Sequence, residues 1–125
     1  MKLSLQQVEP ECLSALAAEA CRSLLAGEFS ALAERFGYAI ALGRDPTNAI
    51  QADLASSLAR LADARLDPTV QPLIAINYFK AHEELHAIAE CMLATAGGHQ
   101  VLVELVISAA GSDFHATLEQ ISAAA

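Results

Sequence analysis

Residues 97–112 read Gly97-Gly98-His99-Gln100-Val101-Leu102-Val103-Glu104-Leu105-Val106-Ile107-Ser108-Ala109-Ala110-Gly111-Ser112. The run from Val101 to Ile107 is rich in β-branched residues, which fit a pleated surface, and reads strongly as a strand. It is bracketed by Gly97-Gly98 and Gly111-Ser112, pairs suited to tight hairpin turns. A strand between two such turns has an antiparallel neighbour on each side, so this stretch predicts the middle of a β-meander. On its C-terminal side, Phe114 to Ile121 alternates as a strand does. On its N-terminal side, His86 to Ala94 is open to two readings, since Leu85, Ile88 and Met92 also fit a helix. Its place immediately before a Gly-Gly turn and a strand favours a strand. Leu73 to Tyr78, β-branched and aromatic, supplies a fourth candidate.

Before Val70 the apolar period is helical. A helix begins near Pro10, a residue suited to the first turn, and Leu13, Leu16, Ala20 and Leu24 follow at three- and four-residue steps. Gly27 interrupts the stripe, and Phe29, Leu32, Ala33 and Phe36 build a second one. Tyr38 to Leu42 reads either as its continuation towards Ile40 or as a short strand, because Gly37 weakens the helix. Asp45-Pro46 is a start signal, with a carboxylate to cap and a proline for the first helical position. Ile50, Leu54, Leu58 and Leu61 follow, and Asp67-Pro68 is expected to end the segment. The expected fold is α+β: two or three N-terminal helices followed by a curved antiparallel β-meander of three or four strands. One domain is expected over residues 1–125, helical over about 8–64 and sheet over about 70–122.

Hydrophobic residues make up 54% of the chain and charged residues 18%, which excludes a disordered polymer. So large an apolar fraction in a small domain admits a homodimer. No apolar run approaches the roughly 18 residues that span a bilayer, and Met1-Lys2-Leu3-Ser4 lacks the apolar core of a signal peptide, so a cytoplasmic location is expected. Cys12 and Cys21 lie on opposite faces of their helix, and with Cys91 they read as small buried hydrophobes rather than a disulfide framework. The net charge is −8, unevenly placed. Lys2, Arg22, Arg35, Arg44, Arg60, Arg65 and Lys80 are the only Lys and Arg residues; beyond them stand Glu83, Glu84, Glu90, Glu104, Asp113 and Glu119. Such a surface repels phosphates, which argues against nucleic acid and anionic membranes and for a basic protein partner.

Two-residue loops at both turns would fix the register. Met92 would then face Val103, Leu105 would face Leu118 and Ile107 would face Ala116, giving one dry face for the helices to cover. On the other face Glu104 would meet Glu119 and Ser108 would meet His115, with Leu102, Val106 and Ile121 as apolar neighbours. A three-residue loop at either turn would separate the two glutamates. Glu104, Glu119, His115 and Glu90 are accordingly the candidate partner-binding residues. A solvated outer face tolerates two opposed carboxylates; on a sharper reading they await a cation, a basic partner or a second subunit, or share a proton if enclosed.

His82-Glu83-Glu84-Leu85-His86 matches H-E-x-x-H, the zincin metalloprotease signature, which places two His ligands one helical turn apart and the Glu as general base. His82, Glu83 and His86 are thus candidate metal-site residues, with His99 or Glu104 as a nominal third ligand. The residue after His-Glu is Glu84, charged where that family has an apolar side chain, and strand candidates flank the segment. A polar hairpin connection is the better reading, and no metal, cofactor or catalytic residue is assigned. All four His (82, 86, 99 and 115) lie in the acidic half, where their protonation would make a contact pH-sensitive; scattered surface His are the plainer reading.

Leu24-Leu25-Ala26-Gly27-Glu28-Phe29-Ser30-Ala31-Leu32 resembles the helix–Gly-acidic–helix entry of nuclear-transport-factor-two-like domains. Gly43-Arg44-Asp45-Pro46 leading into Ala49-Ile50 is similar to the loop before their third helix, and the closing hairpins fit as well. The resemblance implies a cone, with a curved sheet wrapped round a long helix. Its members include isomerases, dehydratases, polyketide cyclases and non-catalytic binding or dimerisation modules, and the enzymes hold an acid–base pair inside the cone. This chain has no Asp/His pair at inward positions and no aromatic anchor in its last strand.

The expected function is therefore non-catalytic: an inhibitor- or immunity-like protein whose acidic sheet face meets a basic partner. The alternatives are a cone binding a small apolar ligand or performing simple acid–base chemistry, and a zinc hydrolase built on His82 and His86.

Overall fold

The computed structural model describes residues 1–80 and 84–124. Helix α1 (Pro10–Leu25) starts on its proline and buries Leu13, Leu16, Ala17, Ala20, Cys21 and Leu24, a stripe set by three- and four-residue spacing. Helix α2 (Phe29–Phe36) buries Leu32 and Phe36 and stops at Gly37, whose φ of +66° a side chain would oppose. Helix α3 (Pro46–Arg60) is capped by Asp45, whose carboxylate accepts the Asn48 N–H at 3.1 Å. A single 3₁₀ turn (Gln6–Val8) precedes α1.

Helix α3 ends before Asp67-Pro68. Its last turn closes by a pair of backbone bonds, Ala62 N–H to Ala59 O at 3.1 Å and Asp63 N–H to Leu58 O at 2.9 Å. That is the Schellman pattern, formed here with Ala62 in the left-handed region at φ +54°. Asp67 instead bends the chain locally, its carboxylate accepting the Thr69 N–H and hydroxyl. Tyr38 to Leu42 neither extends α2 nor forms a strand: Tyr38 makes one isolated parallel bridge to Leu118, and the chain then turns.

The sheet holds β1 (Lys2–Leu3), β2 (Leu73–Tyr78), β3 (Leu85–Ala94), β4 (Gln100–Ala110) and β5 (Asp113–Ala124), all antiparallel, in the order β1-β5-β4-β3-β2. The four-strand meander follows the sequence pattern, and His86 to Ala94 lies in a strand. The N-terminal β1 is an addition, a two-residue pairing of Lys2 with His115 and Leu3 with Phe114. Helix α1 packs on β2 and β3, and α3 packs on β5. Between the helices and the sheet, Leu13, Ile50, Leu93, Val101, Leu105, Ile107 and Leu118 are almost wholly buried. Each such side chain contributes roughly 1.5–3 kcal/mol relative to exposure, so the fold is held chiefly from this one side of the sheet.

Register departs from the two-loop expectation at two points. The β3–β4 loop has three residues, Ala96 to Gly98. Gly98 donates to Thr95 O at 3.1 Å with φ +85°, and Thr95 donates to His99 O at 2.9 Å. This is a turn followed by a left-handed glycine. The extra residue slips the pairing by one, so Cys91 faces Val103 in the core and Met92 faces Leu102 on the outer face. The β4–β5 loop, Gly111-Ser112, keeps the expected pairs Leu105–Leu118, Ile107–Ala116 and Ser108–His115. A bulge then intervenes. Glu104 pairs with Gln120 rather than Glu119, and Val103 pairs with Ile121. The inserted residue carries Ile121 to the core side, where it is 4% exposed, rather than to the outer face.

Candidate interaction face

No described helix covers the outer face of the sheet. The side chains there alternate with the buried set: Ala75 on β2; Ile88, Glu90 and Met92 on β3; Leu102, Glu104 and Val106 on β4; Thr117 and Glu119 on β5. At its centre three carboxylates gather. Glu90 pairs directly with Glu104 across β3 and β4, and the bulge puts Glu119 beside Gln120, the partner of Glu104 on the other side. Glu104 is half-buried, and its carboxyl is held above the ordinary carboxylate range, first by lost solvation and then by the charges of Glu90 and Glu119.

Among the described residues no cation offsets this cluster. The Lys and Arg ion pairs lie elsewhere: Lys2 with Asp113 at 3.6 Å, Arg35 with Glu19 at 3.0 Å, and Arg44 with Asp53 at 2.9 Å. Of the four sequence candidates, the fold brings Glu90, Glu104 and Glu119 together. His115 is exposed and pairs with Ser108, four residues along β4 from Glu104, a separation of about 13 Å. The pairing expected between Glu104 and Glu119 is thus replaced by two contacts, a direct one to Glu90 and a diagonal one to Glu119. Glu90 is the residue whose position the two-loop register could not supply, because it depends on the three-residue turn.

His82 and Glu83 of the H-E-x-x-H segment lie outside the described residues. His86, the motif's second His, lies in strand β3. The His86 ring stands 5.5 Å from that of Tyr78, edge on, and 4.7 Å from that of Phe114. No group of three or more His, Cys, Asp or Glu among the described residues is placed to hold a metal ion. Cys21 and Cys91 are buried as expected; Cys12 is exposed, and all three thiols are free.

Two polar clusters escaped the sequence reading. The Asp63 carboxylate, with only 5% of its side chain exposed, accepts from the Thr95 hydroxyl, the Gly97 N–H and His99 Nδ1, each at 2.6 Å. The Thr95 bond, followed by His99, holds the Asp63 carboxyl below its ordinary range. A Cβ at Gly97 would collide with the Asp63 carboxylate, so this glycine permits a close approach. The cluster ties the end of α3 to the β3–β4 turn. The second joins α3 to the loop after α2: Asp53 accepts the Tyr38 hydroxyl at 2.6 Å and a two-pronged bond from Arg44 at 2.9 and 3.2 Å. Arg44 also donates to the carbonyls of Ala41 and Ile40, which fixes the loop.

Two clefts among the described residues, of about 260 and 350 Å³, are open to solvent. The larger is lined mainly by apolar side chains, among them Leu24, Phe29, Leu54, Leu58 and Pro68, with Arg65 as its one charged residue. It lacks the convergent polar groups that orient a small ligand. No described helix is long and apolar enough to cross a membrane. No family model matches the chain, and no curated protein or solved structure matches it.

Proposed function

We propose that this chain is a non-catalytic interaction protein that presents the outer face of its sheet to a basic protein partner, as an inhibitor or immunity protein does. The observation that carries this reading is Glu104, flanked by Glu90 and Glu119 with no cation beside them among the described residues, and set among the half-buried side chains of Ile88, Leu102 and Val106. Opposed like charges on a sheet cost a few tenths to about 1 kcal/mol, so the fold alone gains nothing from them. A Lys or Arg arriving from a partner reverses the sign of that term, and the apolar rim supplies burial around it. Two copies meeting through this face would oppose acid to acid, which disfavours self-association there.

Glu104 should then behave as a residue kept for binding at some cost in stability. Glu104→Gln is expected to raise the unfolding free energy by a few tenths to about 1 kcal/mol in a denaturant titration. Used as bait, the wild-type chain should retain a basic protein at low salt and release it at high salt, and Glu104→Lys with Glu119→Lys should lose it. Retention indifferent to both salt and charge reversal would reject the reading, as would destabilisation by Glu104→Gln.

A further inference from the structure

The sheet has two free edges of very different character. One is β1, two residues long, continued by the part of β5 that β1 does not reach, where Ala116 bonds to Met1 and Leu118 accepts from Ala39. The other is β2, six residues long, whose only strand partner among the described residues is β3. Proteins ordinarily protect such an edge with a charge, a bulge or a proline within the strand. β2 has none of these: its sequence is Leu73-Ile74-Ala75-Ile76-Asn77-Tyr78, paired without a register shift along its whole length. The uncharged stretch is longer than the strand, running from Pro68 to Phe79 without an Asp, Glu, Lys, Arg or His. Four of the seven large apolar residues exposed among the described residues fall in it: Val70 (47%), Leu73 (65%), Tyr78 (42%) and Phe79 (38%).

Backbone geometry says which groups face outward. Phe79 N–H donates to His86 O at 3.0 Å, so residue 79 points its polar groups at β3. By the alternation of an antiparallel ladder, residues 77, 75 and 73 do the same, and Ile74, Ile76 and Tyr78 point theirs away from β3. Among the described residues, these three make no backbone hydrogen bond to a turn, loop or cap.

We propose that β2 pairs edge to edge with β2 of a second copy of this chain, antiparallel about a two-fold axis at Ile76, joining two sheets into one of ten strands. Outward-facing residues must pair with outward-facing residues, which admits Ile76 opposite Ile76 of the second copy and Ile74 opposite Tyr78. In that register the whole strand is used. On the core side Ile meets Ile and Ile meets Tyr, β-branched and aromatic pairs that favour a ladder. On the outer side Ala75 meets Asn77, again without charge. A second copy is the favoured occupant because the contact is self-complementary and neutral on both sides, whereas a chain of net charge −8 repels itself through most other surfaces. The seam leaves the acidic outer face of each copy uncovered, so it stands independently of the basic partner.

Sedimentation equilibrium of the full chain tests this directly. The wild type should show a reversible monomer–dimer equilibrium. Leu73→Glu with Asn77→Glu, both at exposed positions, should raise the dimer dissociation constant at least about tenfold through like-charge repulsion and burial of carboxylates at the seam. The same variant makes the outer face more acidic, so retention of a basic partner should persist, which separates failure of the seam from failure of the acidic face. Register is read by oxidative cross-linking on a Cys12→Ser background. Ala75→Cys mixed with Asn77→Cys should cross-link, and Ala75→Cys alone should do so far more slowly, because only the former pair lies directly opposite. A wild type that stays monomeric at several hundred micromolar would overturn the proposal, as would a dimer that the two glutamates leave intact.

Discussion

Ala62 is a residue whose backbone and side chain disagree. It ends α3 at φ +54°, in the left-handed region where a Cβ meets the following carbonyl. The Schellman bonds through Ala62 and Asp63 need that conformation, and glycine is the residue that adopts it freely. The side chain is exposed, so nothing is lost by removing it. Ala62→Gly should therefore stabilise the protein by roughly 0.5–1 kcal/mol, the relief of strain outweighing the added freedom of the unfolded chain. The measurement is a shift in the urea midpoint at unchanged slope. A loss of stability would mean that the left-handed turn carries no strain. Ala62 also shows why the helix end was illegible: an alanine after Leu58-Ala59-Arg60-Leu61 carries no stop signal, and Asp67-Pro68 does, so the eye passes to the wrong residue. The start was legible because Asp45 and Pro46 are the residue types whose own chemistry makes a cap.

The strands were readable as elements, and their relative positions were readable only in part. Gly111-Ser112 forms the two-residue turn its composition suggests, and the pairs next to it, Ala110–Asp113 through Leu105–Leu118, follow. Gly97-Gly98 does not, because Asp63, far away in sequence, holds the Gly97 N–H and widens the loop to three residues. The bulge is a signal that was present and unused: Ala116, Leu118 and Ile121 break the period of two, and an inserted residue is what restores all three to one face. Two single-residue deletions should separate with opposite outcomes. Removing Glu119 leaves Leu118, Gln120 and Ile121 opposite Leu105, Glu104 and Val103, so the ladder becomes regular and the core is unchanged. Removing Thr117 turns Leu118, which is fully buried, towards solvent. The first variant should melt within a few degrees of the wild type by circular dichroism. The second should lose at least about 3 kcal/mol, the scale of a fully exposed large apolar side chain and its vacated space. Equal damage from both would mean that the bulge, and not the register it corrects, is what the sheet needs.

At the scale of the whole molecule, pH acts on the clasps that join elements. Asp53 is held below its ordinary carboxyl value first by the Arg44 bond and then by Tyr38. Asp63 is held low by Thr95 and His99, and Asp67 by Thr69. A carboxyl depressed on folding stabilises the native state above its unfolded value near 4, and that contribution is lost as pH falls through the lower folded value. Glu104 runs the other way. Its carboxyl is raised by burial and by Glu90 and Glu119, so its ionisation weakens the fold as pH climbs past its unfolded value. Three depressed carboxyls against one raised carboxyl give a net loss of stability on the acid side. The alkaline side depends on Tyr38, whose phenol is pushed well above its ordinary value by burial and then by Asp53. The unfolded chain ionises its tyrosines near pH 10 while folded Tyr38 cannot, so stability falls again above that point. Tyr78, bonded to the Val8 carbonyl and also raised by burial, adds to the same limb. Unfolding free energy measured in urea across pH should thus form a plateau between about pH 5 and 9 with a falling limb on each side. Asp53→Asn should make the acid limb shallower and Tyr38→Phe the alkaline limb shallower, each at lower overall stability. One cluster between α3 and the loop after α2 would then contribute to both limbs, with Asp63 and Asp67 sharing the acid one, and limbs that keep their wild-type slopes in both variants would assign them to other groups.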